Sequence, residues 1–245
     1  MFKHLWLVAV IACGGAARVD PVAPSPEPQG GAPHKDSNME HDSAHHGDAM
    51  AHGGGMPHRF EKADEWAKDF DNPARDAWQR PDLVLAALEL RPKMIIADIG
   101  AGTGYFSVRL ARAVPDGQII ATDVEPDMIR YMTERAAREH LPNLRAVQTP
   151  PDDPQLAPGS LDRILVVDVW HHLGDRPAYA RALARALRPG GKLAIVDFTL
   201  TSSHGPPPQH RLSPDQILAE LRSAGLTASV SSTTLPEQYI VIGTR

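Results

Sequence analysis

The chain has 245 residues, 42% of them hydrophobic and 22% charged, with a formal net charge of −5. That suits one globular domain with attachments and excludes the strong basic field that draws proteins to nucleic acid; the arginines Arg181, Arg185 and Arg188 read as solvated helix faces. Cys13 is the single cysteine, which excludes an intrachain disulfide, and no apolar run reaches the roughly 20 residues of a membrane-spanning helix.

At the start of the chain, Lys3 and His4 precede a short apolar run over 5–12 that ends at Cys13. The order of basic start, apolar stretch and small residues resembles a bacterial secretion signal. Val10-Ile11-Ala12-Cys13 resembles a lipobox, which implies that residues 1–13 are a signal and that Cys13 is lipidated and anchors the protein to membrane. Gly14 rather than Asp follows, as in outer-membrane sorting, so the expected location is the periplasmic side of a bacterial cell envelope. A cytoplasmic location is the alternative if the signal is not functional.

Residues 14–58 read as a disordered linker. Pro21, Pro24, Pro26, Pro28 and Pro33 oppose regular helix, and Gly53-Gly54-Gly55 adds freedom. Six of the 12 histidines lie here: His34, His41, His45, His46, His52 and His58. Three Met-x-His triplets (Met39 to His41, Met50 to His52, Met56 to His58) form a soft ligand set suited to weak copper binding, and exposed histidines also take zinc or nickel. The plain alternative is a solvated linker with incidental affinity, and no dedicated metal site is assigned.

The globular part is placed at 59–245. Helical spacing or capping predicts helices over 61–70, 82–90, 105–113, 126–140, 176–187 and 213–224. Apolar and β-branched runs predict strands over 94–99, 118–122, 144–148, 161–167, 192–198, 227–232 and 238–242, with Pro189-Gly190-Gly191 as the turn into the fifth. Strand alternating with helix implies a parallel sheet covered on both faces, with ligands at the carboxyl ends of its strands.

Asp98-Ile99-Gly100-Ala101-Gly102-Thr103-Gly104 joins a strand to a helix. Glycines there permit a sharp turn and a close approach of ligand to backbone. Two cofactors fit such a loop, a dinucleotide or S-adenosylmethionine. The dinucleotide pattern Gly-x-Gly-x-x-Gly needs a glycine where Tyr105 stands. Asp98, just before the loop, would repel a pyrophosphate and attract an ammonium or sulfonium. Asp123, 19 residues beyond Gly104, can accept ribose hydroxyls of either cofactor.

Residues 96–104 resemble motif I of the class I S-adenosylmethionine-dependent methyltransferases. The segments Asp123 to Met128, Ser160 to Ile164 and Leu187 to Leu193 resemble three further motifs of that family, in order, and the similarity covers roughly 90–200. The resemblance implies a Rossmann-like, doubly wound α/β sheet of seven mostly parallel strands with an antiparallel last strand. It implies that Asp98, Gly100, Ala101, Gly102, Thr103, Gly104, Asp123 and Val124 hold the cofactor. The family often has an acid after the third strand, against adenine; here Pro150 takes that register, and Asp152 would reach the site by a shifted loop.

The fourth strand ends in Asp168-Val169-Trp170-His171-His172. Asp168 is a candidate for acceptor or cofactor binding, and His171 or His172 for the general base. The competing assignment is that the histidine pair only shapes the loop. Asp197, at the end of strand five, is a weaker candidate. Trp78 and Gln79 are expected either to line the cofactor or, with Trp66 and Phe70, to pack a helix on the sheet. The leading expectation is a methyltransferase acting on a small molecule. A nicotinamide-dependent oxidoreductase and a non-catalytic, metal- or partner-binding surface lipoprotein are the alternatives.

Overall fold

The structure is a computed structural model and describes residues 62–245. The lipobox-like segment, Cys13, the Met-x-His triplets and Glu61 lie outside the described residues.

Three short helices lead in: α1 (Ala63–Phe70), α2 (Arg75–Gln79) and α3 (Pro81–Ala87). The alternating part follows as β1 (Ile95–Ile99), α4 (Tyr105–Ala113), β2 (Gln118–Asp123), α5 (Pro126–Arg138), β3 (Leu144–Gln148), β4 (Leu161–Val167), α6 (Arg176–Ala186) and β5 (Leu187–Phe198). It closes with α7 (Pro214–Ser223), β6 (Thr227–Val230) and β7 (Gln238–Thr244). The seven strands form one sheet in the order β3-β2-β1-β4-β5-β7-β6. The pairs among β1 to β5 are parallel, and β7 runs antiparallel to both β5 and β6. The order turns back between β1 and β4, which makes that crevice the switch point where such sheets bind ligands.

Alternation along the central strands explains the two layers of helices. Ile96, Leu165, Val167, Ala194 and Val196 pack with α4 and α5 on one face, and Ala97, Ile99, Ile164, Val166, Leu193 and Ile195 pack with α6 and α7 on the other. Strands apolar on both sides have to be buried on both sides.

Helix α2 has no counterpart among the predicted helices, and several boundaries differ from the expectation by one to five residues, two of them for physical reasons visible in the backbone. The fifth strand begins at Leu187 rather than 192, because Pro189-Gly190-Gly191 is a bulge within it. Leu161 pairs with Leu187 and Arg163 with Lys192, and Gly190 takes φ +75° while its N–H bonds to the Arg245 carbonyl. Helix α5 stops at Arg138 because His140 adopts φ +54° and the Leu141 N–H returns to the Ala136 carbonyl at 2.9 Å, a Schellman closure with histidine in glycine's usual place.

Helix α7 starts with a full capping box, Ser213 Oγ accepting from Gln216 N and Gln216 Oε1 accepting from Ser213 N. Ser213→Ala is expected to cost about 1 kcal/mol, read as a lower urea midpoint with an unchanged slope; an unchanged midpoint would show that the box contributes nothing.

Candidate functional site

The glycine loop is held from two sides. Ala101 N donates to the Thr122 carbonyl at 2.9 Å, and Gly102 N to Asp123 Oδ2 at 2.8 Å. The other oxygen of Asp123 accepts from Glu125 N at 3.0 Å, so one carboxylate ties the β1 loop to the end of β2. Burial pushes the Asp123 carboxyl above its ordinary range, and these backbone N–H groups oppose the shift. Gly100 has φ +64°, and a Cβ there would stand 2.4 Å from the Val169 side chain, so only glycine lets the loop meet the residue after Asp168. Beside Asp123, Thr122 Oγ1 is buried with no hydrogen-bond partner, and Val124 leaves 44% of its surface exposed.

Asp98 lies beneath the loop, buried, with Ser107 Oγ donating to its Oδ2 at 2.6 Å. Burial raises its carboxyl to about 7; the Ser107 bond and Arg75 resist the rise, and Asp123 adds to it. A cation placed beside that carboxyl would favour its ionised form.

The segment before the core covers the loop. The Phe70 ring lies 3.5 Å from where a Cβ on Gly102 would stand. Asp71 Oδ1 accepts from Thr103 Oγ1 at 3.0 Å and from Arg135 Nη1 at 2.7 Å, and Arg135 also donates to the Thr103 carbonyl at 3.1 Å. Arg75 donates to the Phe70 carbonyl at 2.9 Å and to Gln79 at 3.0 Å, reaches Asp168 at 3.4 Å, and stacks 4.2 Å from the Tyr105 ring centroid. Gln79 is fully buried and donates to Gln238 at 2.5 Å; Gln238 in turn donates to Asp168. Gln79 therefore belongs to a buried polar chain that ends on Asp168, while Trp66 and Phe70 stack on each other within α1 at 5.4 Å. Two surface cavities of about 280 and 570 Å³ lie elsewhere, around Arg181, Arg185 and Arg245 and around His140 and Leu141.

At the end of β4, Asp168 sits in the left-handed region, φ +61°, a conformation Asp tolerates better than most residues. Burial pushes its carboxyl to about 7; Arg75 resists, and Asp197 adds to the rise. His171 is buried with Nδ1 2.8 Å from Asp197 Oδ1, which also accepts from Phe198 N at 2.8 Å. Asp197 Oδ2 is buried with no partner. The His172 ring lies 4.2 Å from that of His171. Asp152 is exposed in the turn after β3, and Pro150 beside it is exposed as well. Asp152, Asp153 and Asp123 all lie near enough to Tyr179 to help burial hold its phenol above the ordinary range.

The strands thus bring Asp98, the glycine loop, Asp123, Asp168 and His171 to one edge. Sequence reasoning did not single out Asp71, Arg75, Ser107, Arg135 or Gln238. Ser107 alone carried a readable signal, standing on α4 three residues past Gly104 in a helix that follows a buried acid.

Residues 96–191 match the family model described as a methyltransferase domain. The chain is 27% identical over 124 residues to the ubiquinone/menaquinone biosynthesis C-methyltransferase of Shewanella frigidimarina, half of this chain and 49% of that protein. It is 32% identical over 122 residues to the ubiquinone biosynthesis O-methyltransferase of Xanthomonas oryzae pv. oryzae, half of each chain. The chain spans about half the length of these curated relatives. A crystal structure of a SAM-dependent methyltransferase from Aquifex aeolicus superimposes with a TM-score of 0.68 and 25% identity, over 74% of this chain and 97% of that one. Over residues 96–191 the chain is thus similar to a methyltransferase domain, and the group on which the superimposed enzyme depends is S-adenosylmethionine. The residues fit that group. Asp98 and Asp123 meet no basic side chain in a hydrogen bond or ion pair among the described residues, so both carboxylates are left to a cationic group at the loop.

A cation bound beside Asp98 needs the ionised form, so S-adenosylmethionine is expected to bind about tenfold more weakly at pH 6 than at pH 8, with the loss centred near 7 and flattened in Asp98→Asn. The stability sign is opposite. The folded form holds its proton up to about 7 and the unfolded form releases it near 3.8, so wild type loses stability as pH rises between them. Between pH 5 and pH 8 the Tm difference should therefore move in favour of Asp98→Asn. Calorimetric titration and thermal melts across that range check both, and a pH-independent affinity in wild type would remove the assignment.

Proposed function

We propose that this chain is an S-adenosylmethionine-dependent methyltransferase acting on a small molecule. The observation that carries the reading is the pair of carboxylates at the glycine loop, buried Asp98 and part-buried Asp123, neither of them bonded to a basic side chain among the described residues. S-adenosylmethionine supplies a methyl carbon made electrophilic by its sulfonium. In this reading Asp98 faces the cationic part of the methionine end and Arg75, one turn from the loop's cover, its carboxylate. Asp123 accepts from ribose hydroxyls, and the exposed Val124 side chain and the Asp152 turn meet the base.

The acceptor lies at the ends of β4 and β5. Asp197 accepts from His171 Nδ1 and fixes the tautomer, which leaves the lone pair on Nε2 to take the acceptor's proton. Asp168, held by Arg75 and Gln238, positions the acceptor or the cofactor across the crevice. The relatives named above include a C- and an O-methyltransferase, which supports a small-molecule acceptor and leaves its reacting atom open.

Calorimetry on the full chain is expected to show binding of S-adenosylmethionine and none of NAD; the reverse result would overturn the reading. His171→Gln should lower kcat about 10²–10⁴-fold at unchanged S-adenosylmethionine affinity, measured as S-adenosylhomocysteine formed.

We further propose that the chain is anchored to membrane through a lipid on Cys13. The support is the lipobox-like order Val10-Ile11-Ala12-Cys13 and the polar, proline-rich stretch after it. Labelled palmitate should enter the wild type and not Cys13→Ala; equal labelling would sink the anchor.

A further inference from the structure

Beyond β5 the chain folds into a loop, residues 199–213, that meets Trp78 and Phe198, and one side chain shapes it. Arg211 donates to the carbonyls of Pro206 (2.7 Å), Thr199 (3.2 Å), Leu200 (3.1 Å), Ser202 (2.8 Å) and His204 (3.1 Å). Glu237 pins the same loop by accepting from Ser203 N at 2.8 Å and Ser203 Oγ at 3.1 Å. Gly205 lies so close to Phe198 that a Cβ would stand 2.4 Å from its ring. The loop is therefore fixed in its backbone, while the His204 imidazole it carries is exposed. That imidazole stacks on Trp78 with centroids 4.5 Å apart and planes at 14°.

Trp78 and His204 end a continuous row of rings along the crevice. His172 is 4.2 Å from His171, His171 6.3 Å from Phe198, and Phe198 6.0 Å from Trp78. The row runs through the proposed base, His171, and ends on an indole whose stacked ring partner among the described residues is the exposed His204, with the Arg75 guanidinium 5.8 Å from the same ring. A wall of π faces selects planarity rather than charge or length.

We propose that the methyl acceptor is a planar aromatic ring carrying a hydroxyl, and that it stacks on Trp78 in the place His204 holds. His204 is then a placeholder that closes the indole face until the acceptor displaces it, and Arg211 keeps the loop in position for the exchange. This rests on the methyltransferase reading. In the step it serves, the ring oxygen gains the methyl carbon. The carbon–sulfur bond breaks with its electron pair on sulfur, and the hydroxyl proton passes through water to His171 Nε2.

The test uses 4-nitrocatechol as probe, with the full chain and S-adenosylhomocysteine present. Binding is followed by tryptophan quenching and by the probe's visible absorbance, and S-adenosylmethionine affinity is measured separately by calorimetry. His204→Ala, which removes the competing ring, is expected to bind the probe at least threefold more tightly. Trp78→Leu should bind it at least tenfold more weakly, with Trp78→Phe recovering most of the loss, and all three variants should keep S-adenosylmethionine affinity within twofold. Weaker probe binding by His204→Ala would overturn the displacement. Equal binding of trans-1,2-cyclohexanediol, which has the hydroxyls without the flat ring, would overturn the aromatic acceptor. Failure of the wild type to bind S-adenosylmethionine would instead remove the underlying function, an outcome the separate calorimetry identifies.

Discussion

The Asp123 carboxylate is the joint on which the cofactor end depends. By accepting Gly102 N on one oxygen and Glu125 N on the other, it fixes the loop after β1 to the turn after β2. Parallel pairing of β1 with β2 and of β1 with β4 then sets where Asp98, Thr122 and Val169 stand around that loop. Had β2 ended one residue earlier or later, the sheet's period of two would have turned this side chain toward the other face. The position of one acid is thus a consequence of strand register, and the loop's shape is a consequence of the acid.

The same edge gathers acids that a merely stable protein would avoid. Asp98, Asp123, Asp168 and Asp197 end or nearly end four different strands, and burial raises the first three. The apolar layers on both faces of the sheet, from Ile96 to Val196 and from Ala97 to Ile195, carry that burden. Concentrating poorly solvated charge where the sheet opens is what lets a cation or a proton alter the site strongly.

Most of the sheet was legible because its signals are local. β-branched runs such as Leu161–Val167 and the helix Tyr105–Ala113 have one reading, and both ends of each agree with the structure. The bulge at Pro189-Gly190-Gly191 was not, because Pro and Gly mark a turn and a bulge alike and only the pairing of Leu161 with Leu187 separates them. In the site, residues attached to the glycine loop were readable, whereas partners from afar were not. Gln238 reaches Asp168 across 70 residues, Arg135 reaches Asp71 across 64, and Trp78 meets His204 from the other side of the sheet's sequence. The rise in the Asp98 carboxyl was not legible either, because burial is a property of the fold.

The cover over the glycine loop is built from α1, α2 and the residues between them, the first described part of the chain. Phe70, Asp71 and Arg75 rest on the loop, on Arg135 and on Asp168. Tension applied from the amino-terminal side therefore falls first on the bonds from α1 to α5, Ala63 to Asp127 and Asp64 to Arg130, and then on the ion pair between Asp71 and Arg135, before it reaches any strand. The carboxyl end of β7 pairs at Lys192, at the opposite edge of the sheet, and carries no such linkage. Mechanical load and immobilisation act on this molecule with a polarity: a handle at the front of the domain pulls directly on the lid of its cofactor site, and one at the back reaches the site only through the length of β7 and Gln238.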